Sequence, residues 1–241
     1  MAIHRPHRVS LCGALLTMGI VLVACAPPPI PEGMTAACTN GALRFANEIT
    51  PERPVDFLGI LRESTEPGGY SSSGSPQVNW SARMTDDVRG TPCSGATDKA
   101  ACQSKVSALR TLRSCGAYEV APKAAPEAVQ RIGPATGQCT ATNLVYTRGD
   151  EVGMVASAVD ARAFFGEIDT PKEAIYLARL RGERFGCDER LPAAFAQVPE
   201  GFDVQAVGGA CTQRLLRVTR QGVVSVLSTD TDQRGCREEN P

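Results

Sequence analysis

The chain has 241 residues, with 25 basic and 26 acidic side chains, 2 histidines and a formal charge of −1. At 42% apolar and 21% charged residues it has the composition of a packed globular protein, which excludes wholesale disorder. A near-neutral balance with no basic block lacks the electrostatic footprint of a nucleic-acid binder, so no nucleic acid is expected as a partner.

The chain opens on His4-Arg5-Pro6-His7-Arg8, an apolar run from Leu11 to Ala24, and then Cys25 and a proline cluster. A helix that spans a bilayer needs roughly 20 consecutive apolar residues, so this shorter run behind a basic flank reads as a secretory signal peptide. Leu22-Val23-Ala24-Cys25 resembles the bacterial lipobox at every position. The resemblance implies that residues 1–24 are removed, that Cys25 is lipidated, and that its acyl chains hold the protein to a membrane without spanning it. Two or three chains give durable attachment, since each buried methylene contributes about 0.8 kcal/mol. Ala26, in place of an aspartate after the cysteine, implies by resemblance to enteric sorting rules the outer rather than the inner membrane of a Gram-negative cell. Residues 25–33 read as a lipidated, proline-rich tether. In polyproline II geometry, at about 3.1 Å per residue, it would hold the rest of the chain roughly 20 Å from the bilayer.

Residues 34–241 form the exported globular region, either as one domain or as two subdomains, 34–121 and 134–241. Val55 to Arg62 reads as a strand, followed by a polar, glycine-rich loop from Glu66 to Pro76. Val78, Trp80, Ala82 and Met84 then alternate with Asn79, Ser81, Arg83 and Thr85, the period of a strand with one buried face. A helix is predicted near 98–113 with Asp98 or Thr97 as N-cap, and a short one over Pro126 to Gly133. Asn143 to Arg148, the Gly149-Asp150 turn and Glu151 to Val155 form a predicted hairpin. Thr170-Pro171-Lys172-Glu173 is a capping box that opens a helix ending before Gly182. Strands near 183–188 and 202–207 follow, then a hairpin from Arg214 through Gln221-Gly222 to Leu227. The expected fold class is α+β: mostly antiparallel strands and hairpins with two or three helices, stapled by disulfides. Thr50-Pro51 faintly echoes Thr170-Pro171; convergent capping chemistry accounts for this more simply than an internal repeat.

Ten cysteines are present; Cys12 falls within the leader and Cys25 is the lipidation site. The remainder are Cys38, Cys93, Cys102, Cys115, Cys139, Cys187, Cys211 and Cys236, an even set that in an exported chain reads as four disulfides. No Cys-x-x-Cys spacing suggests zinc, and no metal or cofactor site is expected. If 98–113 is helical, Cys102 and Cys115 lie roughly 20 Å apart, beyond a disulfide's reach of roughly 7 Å. Cys93 to Cys102 and Cys115 to Cys139 are then the local pairings.

His4 and His7 are the only histidines, and both belong to the leader. A processed chain without imidazole cannot run a Ser-His-Asp or Cys-His mechanism or build a histidine zinc site. Carboxylate chemistry stays open, but nothing singles out a pair from Asp86, Asp87, Glu151, Asp160, Glu167, Asp169 and the other acids. A Ser-Lys pair would have to draw on Lys99, Lys105, Lys123 or Lys172. Thr229 to Gly235 lacks the third spaced acid and terminal glutamate of a calcium loop. Arg148-Gly149-Asp150 is explained as a turn, Asn79-Trp80-Ser81 as a chance sequon, and the Gly68-Gly69 and Gly208-Gly209 pairs as turns. Tyr70, Trp80 and the Ser71 to Ser75 stretch suggest a loop that could meet a partner.

The whole resembles the cysteine-rich lipoproteins of bacteria whose genomes favour arginine, with 21 arginines against 4 lysines here. The resemblance is carried by the lipobox leader and implies no activity. The expected function is that of a lipid-anchored envelope protein, a non-catalytic binding or structural module for a protein or polysaccharide. The alternatives are a carboxylate-dependent hydrolase of envelope or environmental polymers and a secreted inhibitor.

Overall fold

A computed structural model describes residues 30–70, 76–111, 139–187, 192–208 and 212–231. The fold is α+β, with three helices and two antiparallel sheets among the described residues. The first sheet holds β2 (Phe57–Tyr70), β3 (Pro76–Gly90), β4 (Cys139–Arg148) and β5 (Glu151–Val155) in the order β3-β2-β4-β5. The second holds β1 (Thr35–Ala36), β6 (Ala194–Val198), β7 (Gly201–Gly208), β8 (Thr212–Thr219) and β9 (Val224–Thr231) in the order β1-β6-β7-β8-β9. The helices are α1 (Lys99–Leu109), α2 (Ala158–Phe165) and α3 (Pro171–Leu180).

α3 is buried nearly all round, because Ala174, Ile175, Tyr176, Leu177 and Ala178 leave no polar stripe for water. It contacts β6, β7 and β8 on one side, while the Tyr176 hydroxyl reaches β4 and β5 on the other. One apolar cluster therefore draws Leu58 and Ile60 from the first sheet, Val204 and Leu216 from the second, and Ala37 and Phe45 from the N-terminal segment. The opposite face of the first sheet packs Phe57, Leu61 and Val145 against Leu109 of α1.

Local sequence signals place several elements. Asp98 caps α1 by accepting from the Ala101 N–H, and Thr170 and Glu173 form the expected capping box of α3. The Cys93–Cys102 bridge closes as the expected local pairing, with Cα atoms 5.9 Å apart. Cys38–Cys187 joins residues 149 apart in sequence and ties the N-terminal segment to the chain beyond α3. Cys25, Cys115, Cys211, Cys236 and the predicted 126–133 helix lie outside the described residues, as does the Cys115 to Cys139 pairing.

The structure corrects two expectations and adds one element. The described ends of the loop expected from Glu66 to Pro76 belong to a ladder: Glu66, Pro67 and Tyr70 pair with Asn79, Val78 and Pro76, because a two-stranded ribbon tolerates proline where no ladder N–H is required. The strand expected near 183–188 forms only isolated bridges, Arg184 to Val207 and Gly186 to Pro192, since the disulfide and the α3 exit fix that segment instead. α2 is an additional helix, although Ser157 and Asp160 make a reciprocal capping box for it.

Candidate functional site

From Trp80 the period-2 pattern holds on β3 through Met84 and then breaks. Gly59 pairs with Val88 and Leu61 with Met84, so extra residues on β3 form a bulge. The bulge turns Asp87 inward, where it is 7% exposed and accepts the Phe45 and Ala46 N–H groups at 2.7 and 3.1 Å. Those bonds fix the segment from Gly41 to Phe45 as the wall of a cleft of about 600 Å³.

The floor of this cleft is a row across the first sheet. Arg62 of β2 stands opposite Arg83 of β3 on one side and Thr142 of β4 on the other, so all three side chains share one face. From above, Arg179 in the last turn of α3 lines the same space, and Arg44 closes one edge in an ion pair with Asp86 at 3.1 Å. Ile60, Leu43 and Phe185 supply apolar wall. Burial, and then the charge of Arg62, lower the Arg179 pKa from its ordinary value, while Arg62 and Arg83 themselves are exposed at the mouth of the cleft. Arg62, Arg83 and Arg179 have no ion pair or hydrogen bond through their side chains among the described residues. The Thr142 hydroxyl is buried without a hydrogen-bond partner among the described residues, and Thr142 is 8% exposed.

A smaller cleft of about 280 Å³ lies between β4, β5 and α2, and Tyr146, Arg148 and Glu151 within it bond one another. The Tyr146 hydroxyl donates to Glu151 at 2.9 Å, Arg148 pairs with the same carboxylate at 3.4 Å, and Asp160 is used in the α2 cap. Burial and then the Glu151 hydrogen bond push the Tyr146 phenol pKa up.

The six carboxylates weighed for acid–base chemistry are dispersed into structural duties or left on the surface. Asp86 and Asp87 hold the arginine cleft together, Glu151 and Asp160 belong to the smaller one, Asp169 pairs with Arg220 at 3.1 Å, and Glu167 is exposed. Lys99 and Lys105 are exposed on α1, whereas Lys172 is 2% exposed and donates to the Ala37 carbonyl at 2.7 Å beside Glu48. Lys123 is outside the described residues. Of the Arg148-Gly149-Asp150 turn, Asp150 accepts from the Thr97 and Asp98 N–H groups. Trp80 is half-buried on β3, and Ser71 to Ser75 lie outside the described residues. The arginine row escapes a reading of the sequence because alternation marks Arg83 only as outward; that outward face becomes a cleft when α3 and the Gly41 to Phe45 wall rise beside it.

Among the described residues no group of three or more histidine, cysteine, aspartate or glutamate side chains could hold a metal ion. No helix among them is long and apolar enough to cross a membrane. Comparison of the chain with protein families, with curated proteins and with solved structures finds no match.

Proposed function

We propose that this protein is a lipid-anchored binding module of the bacterial cell envelope, and that an anionic ligand occupies the arginine cleft between the first sheet and α3. The anchor rests on the lipobox at Leu22 to Cys25 and its basic, apolar leader. The binding role rests on one observation: Arg62, Arg83 and Arg179 line a single cleft without a carboxylate partner among the described residues. Guanidinium forks match carboxylate and phosphate oxygens in paired hydrogen bonds, so such a cleft favours an anion over a neutral sugar or an apolar peptide. Glycoside hydrolysis needs two available carboxylates about 5–9.5 Å apart. The two acids of this cleft are committed instead, Asp86 to Arg44 and Asp87 to backbone N–H groups.

Two measurements test this reading. Cys25→Ala should leave the membrane fraction; a variant still processed after Ala24 and retained there would refute the anchor. Thermal unfolding of the full chain in neutral detergent, with citrate, sulfate or phosphate added, should show a rise in Tm for at least one anion, because a ligand that binds only the folded state stabilises it. The Arg62→Gln, Arg179→Gln double variant should lose that rise. An equal rise in the double variant would refute the cleft as the site.

A further inference from the structure

We infer that the arginine cleft recognises a phosphomonoester group, with Arg62, Arg83 and Arg179 as its cations and the Thr142 hydroxyl as a neutral donor. The inference rests on the anion reading above and names the anion.

Charge selects among anions. Four arginines and two aspartates line the cleft, which leaves two positive charges unmatched. A carboxylate or a sulfate ester brings one negative charge, whereas a phosphomonoester carries about −1.5 to −2 at neutral pH and presents three acceptor oxygens. The lining matches that geometry, because Arg62 and Arg83 rise from directly opposed positions of one sheet and Arg179 comes from α3.

The cost of the arrangement argues that it is used. Like charges directly opposite each other in a sheet are destabilising, and Arg62 faces Arg83, at a cost that solvent reduces because both are exposed. The carbonyl end of α3 gives Arg179 a favourable field, which accounts for one cation in that place but not for three together. Thr142 adds independent evidence, since a hydroxyl on a residue 8% exposed, without a partner among the described residues, is an unspent donor on the same row as Arg62. At about 600 Å³ the cleft is also larger than a bare ion needs and falls in the range of organic ligand sites. Leu43, Ile60 and Phe185 offer the organic part an apolar wall.

The phosphomonoester could be soluble or could be the headgroup of a lipid, and the test separates the two. The full chain in neutral detergent is titrated calorimetrically with glycerol 3-phosphate, with methyl sulfate, and with mixed micelles containing phosphatidic acid or phosphatidylcholine. Binding of glycerol 3-phosphate supports a soluble ligand; binding of phosphatidic acid micelles without it supports a lipid headgroup. In either case Arg62→Gln and Arg179→Gln should each weaken binding by about tenfold or more, the scale of a lost charge-assisted hydrogen bond. Arg83→Gln, at an exposed strand position, guards against loss of folding and should weaken binding in the same direction.

Affinity should also fall between about pH 7.5 and pH 5, as the ester takes up its second proton near pH 6. The charged groups that face the ester across the cleft are those of Arg44, Arg62, Arg83, Arg179, Asp86 and Asp87. Equal affinity for methyl sulfate, or phosphate binding unchanged in the arginine variants, would overturn the inference. If citrate alone binds through Arg62 and Arg179, the phosphomonoester assignment fails while the anion reading stands; if no anion binds, both fail.

Discussion

The Glu173 carboxylate accepts the Thr50 N–H at 2.7 Å across 123 positions of sequence, while its other oxygen accepts the Asp169 and Thr170 N–H groups at 2.8 and 3.0 Å. A helix cap thereby doubles as a tertiary tie: the capping box of α3 holds the N-terminal segment that walls the arginine cleft. Glu173→Ala would strand three N–H donors, and is expected to cost about 2–4 kcal/mol in urea unfolding.

Burial raises the Glu173 pKa above its ordinary 4.5, against the opposing pull of the three N–H donors. The folded chain therefore binds this proton more tightly than the unfolded one. The stability this group contributes is complete below 4.5 and is lost as pH rises through the higher folded value. Denaturation of the wild type and Glu173→Gln over a pH series should show the wild type's relative stability greatest at the acidic end and declining upward. A relative stability that grows with pH would mean that the N–H donors outweigh burial.

Much of this fold is legible because its signals are local. The Thr170 box, the Asp98 cap and the Gly149-Asp150 and Gln221-Gly222 turns each act within a few residues, and each stands where the sequence suggests. α2 carries the same kind of signal in Ser157 and Asp160, hidden because the helix is only 8 residues long. The cleft is a different matter. Arg44, Arg62, Arg83 and Arg179 come from a loop, two strands and a helix, so only tertiary packing brings them together. Lys172 misleads in the same way: a charged residue in a first helical turn reads as surface, yet α3 is enclosed nearly all round and Lys172 is held by Ala37 and Glu48.

The two bridges should differ in weight. On the chain-entropy account a closed loop of 149 residues constrains the unfolded state by about 5 kcal/mol, and one of 9 residues by about 2.6 kcal/mol. Cys38→Ser with Cys187→Ser is expected to destabilise more than Cys93→Ser with Cys102→Ser, by about 2.5 kcal/mol. Thiol alkylation of the denatured, unreduced wild type should leave all four of these cysteines unlabelled. Labelling at any of them would contradict the bridges.

Asp150 links the β4–β5 turn to the start of α1. Its carboxylate accepts from the Thr97 hydroxyl, the Thr97 N–H and the Asp98 N–H, and these bonds, led by the hydroxyl, lower its pKa below the ordinary 3.8. A depressed carboxylate stabilises the fold above 3.8 and loses that effect as pH falls through the lower folded value. At neutral pH, Asp150→Asn should speed amide exchange at Thr97 and Asp98; in acid, below the folded pKa, the two proteins should exchange alike. Persistent protection in the variant at neutral pH would show that the Cys93–Cys102 bridge alone holds the segment.

Tyr176 joins the α3 core to the paired strands beneath it. Its hydroxyl accepts the Leu144 N–H at 2.8 Å and donates to the Val155 carbonyl at 2.7 Å, and Leu144 and Val155 are themselves partners in the β4–β5 ladder. The ring packs against Phe45 at 5.5 Å and Phe165 at 6.1 Å between centroids. Tyr176→Phe keeps the ring and deletes only the hydroxyl, leaving a buried donor and acceptor short of a partner, for an expected cost of about 1–3 kcal/mol. Tyr176→Leu also removes ring contacts and is expected to cost more, up to about 3–5 kcal/mol if the site fails to collapse. Urea unfolding of both variants separates the terms. A neutral Tyr176→Phe would mean that packing, and not the hydroxyl bridge, positions α3 over the first sheet and so sets where Arg179 enters the cleft.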